Sequence, residues 1–166
     1  MPTGRNPAGT THPDGPIKYF GSPLIGQDDG SYGPNYRLYT TFKKITDGLS
    51  KTLLVSETVQ GQGCDARGLT WWGWAAGFET YASPNGSEPD RMQQLEYCHA
   101  ELVPNPPCLL AAGPLFNNAA RSRHPGGVNV AMCDASVQFI VNDVDLATWR
   151  AASTIKGDEV YSGLTP

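Results

Sequence analysis

His124-Pro125-Gly126-Gly127-Val128-Asn129-Val130-Ala131-Met132-Cys133-Asp134-Ala135-Ser136-Val137-Gln138-Phe139, followed by Ile140 and Val141, decides how this chain folds. Two alternating runs flank an acidic turn. With Asp134-Ala135 as a two-residue tip, Met132 faces Val137, Val130 faces Phe139 and Val128 faces Val141, so every pair on that side is apolar. The other side pairs Asn129 with Ile140, Ala131 with Gln138 and Cys133 with Ser136. One oily and one mostly polar side is the pattern of a half-buried hairpin, because successive strand side chains point to opposite faces. The expectation is a hairpin with Val130 and Phe139 opposed and both buried.

Outward from the hairpin the chain reads as short strands separated by loops. Residues 36–42 are aromatic and β-branched, 52–59 read as a buried strand, and 69–75 form a tryptophan-rich strand. Residues 83–90 and 104–114 read as loops, and 91–99 hold a helical turn. After the hairpin, Asp145 is placed to cap a helix over 146–153 with Leu146 and Trp149 on one face. Lys156-Gly157 ends it, and 159–161 read as a last short strand. The fold class is mainly β with a minor helix (α+β), built on an antiparallel sheet.

Composition agrees. The chain has 166 residues, 19 glycines, 14 prolines and only 17% charged residues, which favours short strands and loops over a helical bundle. A net charge of −4, with no basic run, argues against a nucleic-acid partner. No run of about 20 apolar residues offers a membrane span. Residues 27–166 form a β-rich head and 1–26 an extended arm. The arm has too few apolar residues for a core, yet Ile17, Tyr19, Phe20, Leu24 and Ile25 are too oily for a solvated linker. Such a segment is ordered by docking on a sheet edge, of its own subunit or the next.

Four cysteines in a glycine-rich, weakly charged chain point to an oxidising compartment. Cys98 and Cys108 enclose a stiff loop containing Pro104, Asn105, Pro106 and Pro107, which a disulfide would staple. Cys64 and Cys133 are candidates for a second bridge, with Cys133 as a small buried hydrophobe the alternative.

Constellations for chemistry are sparse. His12, His99 and His124 lack the close ligand pairs of a structural zinc site. His124 and Asp134 sit at opposite ends of a strand, roughly 20 Å apart, too far to share a proton. The readings are a loop hydrogen bond for His124 and an Asx-type turn for Asp134. Ser122, Ser136 and Ser153 lie in no nucleophile motif. The oxygen-rich pairs Asp28, Asp29 and Asp143, Asp145 are candidate calcium ligands, against a solvated turn and a helix N-cap. Trp71, Trp72 and Trp74 alternate across a strand, so one face is core. A subunit interface is the next reading and a glycan platform the third. Asn85-Gly86-Ser87 matches a glycosylation sequon.

Several segments carry a family resemblance. His124, nine residues, then Asp134 resembles the H-X9-D-G signature of a planctomycete family of prepilin-type, pseudopilin-like proteins of unknown function. Ile45-Thr46-Asp47-Gly48-Leu49-Ser50-Lys51-Thr52-Leu53-Leu54-Val55-Ser56-Glu57 resembles that family's I-T-D-G-T-S-N-T-L-L-V-G-E segment. Arg67-Gly68-Leu69-Thr70-Trp71-Trp72-Gly73, Ser83-Pro84-Asn85, Pro89-Asp90, Arg121-Ser122-Arg123-His124 and Asp145-Leu146-Ala147-Thr148-Trp149-Arg150-Ala151 follow in the right order. Two departures stand out. The signature glycine is Ala135, which resists the positive φ of a type I′ turn by ~1–2 kcal/mol. The chain opens Met1-Pro2-Thr3-Gly4 instead of with a hydrophobic helix, as a trimmed head or a stemless branch would.

The resemblance implies a pseudopilin-like globular head and raises the case for bound Ca2+. The function expected is that of a non-catalytic structural subunit of an extracellular or cell-surface filament, with copies of itself as partners. The alternatives are a pseudopilin-like component of a secretion or adhesion machine, and a glycan- or solute-binding module.

Overall fold

The computed structural model describes residues 2–3, 41–69, 77–92, 94, 97–110, 117–157 and 164. Within them the protein is mainly strands with one small helix. β1 (Pro2–Thr3), β2 (Leu53–Ser56), β3 (Phe78–Glu79), β4 (Asp90–Met92), β5 (Cys108–Leu110), β6 (Gly127–Met132) and β7 (Val137–Val141) precede α1 (Leu146–Ala151). The central sheet is antiparallel with order β2-β6-β7, while β1 pairs with β3 and β4 with β5, both in parallel.

The hairpin forms as β6 and β7, but its register differs by one residue from the expected one. Val130 pairs with Gln138, Asn129 with Phe139 and Val128 with Ile140. The turn explains the shift. The Ala135 N–H donates to Met132 O at 2.9 Å and the Met132 N–H to Ser136 O at 2.9 Å, enclosing three loop residues instead of two. Ala135 takes φ 69°, the left-handed conformation that closes a three-residue hairpin loop. Asp134 Oδ1 accepts from the Ser136 N–H at 2.9 Å and hydroxyl at 2.6 Å, the Asx contact expected of it.

A one-residue slip exchanges the faces of a strand. Val128, Val130 and Met132 remain buried, joined from β7 by Ile140. Phe139, expected in the core, is instead 45% exposed, with Val137 at 71% and Val141 at 38%. The strand expected over 52–59 is shorter and buries one face only, since Val55 is also exposed.

The inner face of the sheet forms one core with Leu53, Phe78, Ala120, Trp149 and Ala152. Asp145 caps α1, its Oδ1 accepting from the Thr148 N–H at 2.8 Å. Trp149 donates from Nε1 to Ala82 O at 3.1 Å, which satisfies its one polar atom while the ring lies 6.2 Å from that of Phe78. The helix stops at Ala151, short of the expected 153. The Ser153 and Thr154 hydroxyls bond back to the carbonyls of Arg150 and Ala151, a local alternative to helix propagation.

Two loop readings are corrected. Cys108–Leu110, expected within a loop, is β5. Asp90–Met92 is β4, where loop and then a helical turn were expected. Parallel pairing of such short segments leaves little local pattern. Phe42, expected to end a strand, opens a 3-10 turn over Phe42–Lys44. The arm residues Ile17, Tyr19, Phe20, Leu24 and Ile25 lie outside the described residues, as do Trp71, Trp72 and Trp74 and residues 159–161.

Candidate functional site

Two segments far apart in sequence meet at the end of the central sheet. Glu57 follows β2 directly, and its N–H donates to Asn129 O at 3.2 Å. The Arg121 N–H donates to Glu57 O at 3.0 Å, which draws the 121–124 segment alongside. Between them opens a cleft of about 620 Å³, lined by residues 57–62 and 121–124.

At its mouth His124 Nε2 lies 3.0 Å from Glu57 Oε1. The same carboxylate accepts from the Asn129 N–H at 2.8 Å and from its side-chain amide at 3.1 Å. Partial burial pushes the Glu57 carboxyl up. The Asn129 bonds and His124 outweigh it and hold the group below its ordinary value. The Ser122 hydroxyl is turned away, donating to Gly127 O at 2.6 Å, while it accepts from the backbone N–H of His124 at 3.1 Å. The cleft therefore presents an acid–base pair, with the serine two residues from the histidine engaged in turn structure.

Arg121 links the cleft to a buried charge network. Its guanidinium bonds both oxygens of Asp90 and the carbonyls of Gly86 and Glu88. Asp90 also accepts from Arg67 Nη1 at 2.9 Å and from the Ala119 N–H at 3.0 Å. Arg67 in turn bonds Asp65 and the carbonyls of Pro106 and Pro107. Burial pushes the Asp65 carboxyl up, but bonds from Arg67 and the His99 N–H outweigh it and leave it below its ordinary value. All four side chains are buried, and two arginines offset two aspartates. Buried charges persist only when paired and hydrogen-bonded, as these are.

Cys98 and Cys108 form a disulfide at the loop that Arg67 holds. The bridge considered between Cys64 and Cys133 is not made: Cys64 is an exposed thiol and Cys133 a buried one. Cys133 packs with Ile45 and Ile155 under the hairpin loop, and burial, aided by Asp134, pushes its thiol up to about 11. It serves there as a small hydrophobe.

Asn85, the sequon residue, sits at φ 52° and is engaged on both sides of its amide. Its Nδ2 donates to Gly127 O and Asn142 Oδ1, and its Oδ1 accepts from the Ser122 N–H. A glycan on Nδ2 would displace one of those bonds. Of the calcium candidates, Asp145 is the helix cap and Asp143 lies in the turn after β7, while Asp28 and Asp29 fall outside the described residues. Among the described residues no group of three or more His, Cys, Asp or Glu side chains is placed to hold a metal ion, and no helix is long and apolar enough to cross a membrane.

Sequence reading placed His124 on a loop but missed its partner, because Glu57 is 67 residues away. The Arg67–Asp90 and Arg121–Asp90 pairs were missed for the same reason. The only available signal was that each residue lies in a motif of the resembled family.

A family model described as "Protein of unknown function (DUF1559)", SBP_bac_10, matches residues 3–147, and the chain belongs to that family. No curated protein and no solved structure matches it.

Proposed function

We propose, from the resemblance of its motifs to those of prepilin-type proteins, that the chain is the head of such a protein, exported to the cell surface or beyond, and that it is a non-catalytic subunit assembling with copies of itself into a filament or array. One observation carries this reading. The outer face of the central sheet displays Val137, Phe139 and Val141 along β7 and Val55 on β2, exposed apolar side chains on the two strands that flank β6. Such a face on a free-standing domain favours association. The disulfide supports export, since such bonds persist outside the reducing cytosol. The arm, through Ile17, Tyr19, Phe20, Leu24 and Ile25, supplies a second contact by docking on a neighbour.

Negative-stain microscopy and size-exclusion chromatography of the native protein test the reading. Polymers are expected, and replacing Ile17, Tyr19, Phe20, Leu24 and Ile25 together with serine, which keeps β1 at Pro2–Thr3, should leave a folded head that no longer polymerises. A native protein that stays monomeric over the whole accessible concentration range overturns it.

The cleft beside Glu57 and His124 favours a second reading, a solute- or glycan-binding module. Its volume falls within the range of small-molecule sites. Saturable binding of an oligosaccharide that Glu57→Gln and His124→Ala both weaken would favour it over assembly.

A further inference from the structure

We propose that the outer edge of β7 pairs with β7 of a second copy, antiparallel and centred on Phe139. This rests on the self-assembling reading above and names one of its contacts.

The phase of the hairpin decides which backbone groups of β7 face outward. Met132 N–H bonds Ser136 O and Asn142 N–H bonds Gly126 O, so the even-numbered residues of β7 direct their backbone groups toward β6. Antiparallel ladders alternate, which sends the N–H and C=O of Val137, Phe139 and Val141 outward. Among the described residues no strand lies beyond β7. The same three residues carry the exposed apolar side chains.

Edge strands are commonly protected by lysine, proline or a bulge. Val137-Gln138-Phe139-Ile140-Val141 has no charge and no proline, and its pairing with β6 runs without a register shift. The segment is also self-complementary. A two-fold axis through Phe139 sets Val137 opposite Val141 and Gln138 opposite Ile140. Every outward N–H and C=O then finds a partner on the other copy. The nearest charges are not brought together: Asp134 falls opposite Val144, and Asp143 opposite Ala135. The Phe139 ring already covers Gly127, where an added Cβ would lie 2.7 Å from ring carbons. Its edge is left to meet its symmetry mate. The three-stranded sheets join into one continuous sheet, and Val55, Val137, Phe139 and Val141 of both copies form one apolar face. A two-fold contact closes at a pair, so pairs form through β7 and a different contact extends them.

Cysteine cross-linking of the full chain in a Cys64→Ser background tests the register. Directly opposed residues of this type lie about 5.5 Å apart at Cα, within disulfide reach. Phe139→Cys should give a covalent dimer on mild oxidation. Val137→Cys alone should not, because its copies lie on the order of 13 Å apart along the strands. A mixture of Val137→Cys and Val141→Cys should again cross-link, and this arm leaves Phe139 in place. Phe139→Lys should raise the dimer dissociation constant at least ~10-fold by setting like charges opposite each other. Cross-linking of Val137→Cys alone as readily as the mixture, or none in the mixture and none with Phe139→Cys, overturns the pairing. If polymers persist in that last case, the β7 contact is wrong while the assembly reading stands. If the native protein is also monomeric, both fall.

Discussion

Arg121 grips Asp90 with two nitrogens, Nη2 lying 2.9 Å from Oδ1 and Nε 3.0 Å from Oδ2. The same carboxylate receives Arg67, so a single aspartate anchors two buried arginines drawn from segments 54 residues apart (121 − 67). Asp90→Ala leaves both guanidinium groups buried without their shared counter-charge. The expected loss is ~3–5 kcal/mol of unfolding free energy, read from urea or thermal denaturation. A loss under ~1 kcal/mol would mean that water reaches the network.

Acid should weaken the fold through Asp65. Its carboxyl lies below its ordinary value of 3.8 in the folded state. A group with a depressed folded value stabilises fully above its unfolded value, and that stabilisation is lost as pH falls through the folded one. Stability should therefore decline below about pH 4, and Asp65→Asn should be less stable at neutral pH but flatter across that window. Denaturation midpoints measured from pH 7 down to 3 decide this; parallel curves for the two proteins would contradict it.

Ala135→Gly should stabilise the protein. The left-handed backbone at φ 69° costs alanine ~1–2 kcal/mol that glycine does not incur. Glycine's greater freedom in the unfolded chain returns part of this, so a net gain of ~0.5–1 kcal/mol is expected. Equilibrium unfolding of the variant measures it, and a net loss would show that the loop has another reason for alanine.

The thiols should separate cleanly. Cys64 is exposed and Cys133 is buried with its thiol at about 11, so the native protein should take one maleimide label and the unfolded protein two. Reducing Cys98–Cys108 should expose two more sites and cost ~2–3 kcal/mol, the loop-closure contribution for a separation of 10 residues. Mass spectrometry of protein labelled before and after reduction counts the sites, and denaturation of the reduced protein reads the cost; rapid native labelling of Cys133 would refute its placement.

Local features were legible in the sequence. The Asp145 cap, the placing of Leu146 and Trp149 on one helix face and the existence of the hairpin all rest on spacings within a few residues, whereas Phe78 and Ala82, the partners that bury Trp149, are distant in sequence. The register was not legible, because it turns on whether one alanine adopts a positive φ, and propensity argues against that. The misplacement of Phe139 follows from that single torsion. The charge network and the Glu57–His124 pair join segments tens of residues apart, and periodicity carries no information at that range. The pairing of β4 with β5 is likewise set by partners distant in sequence and by Arg67 holding the Pro106 and Pro107 carbonyls.

The buried network also constrains how the sequence can drift. Asp65, Arg67, Asp90 and Arg121 balance one another, so a change at any one strands a charge that the remaining three cannot absorb. Intermediates between this arrangement and an uncharged one are all worse than either end state. The four positions thus behave as one heritable character. Relatives should retain them together or replace them together, and a lineage that lost one would be expected to carry a compensating charge introduced nearby.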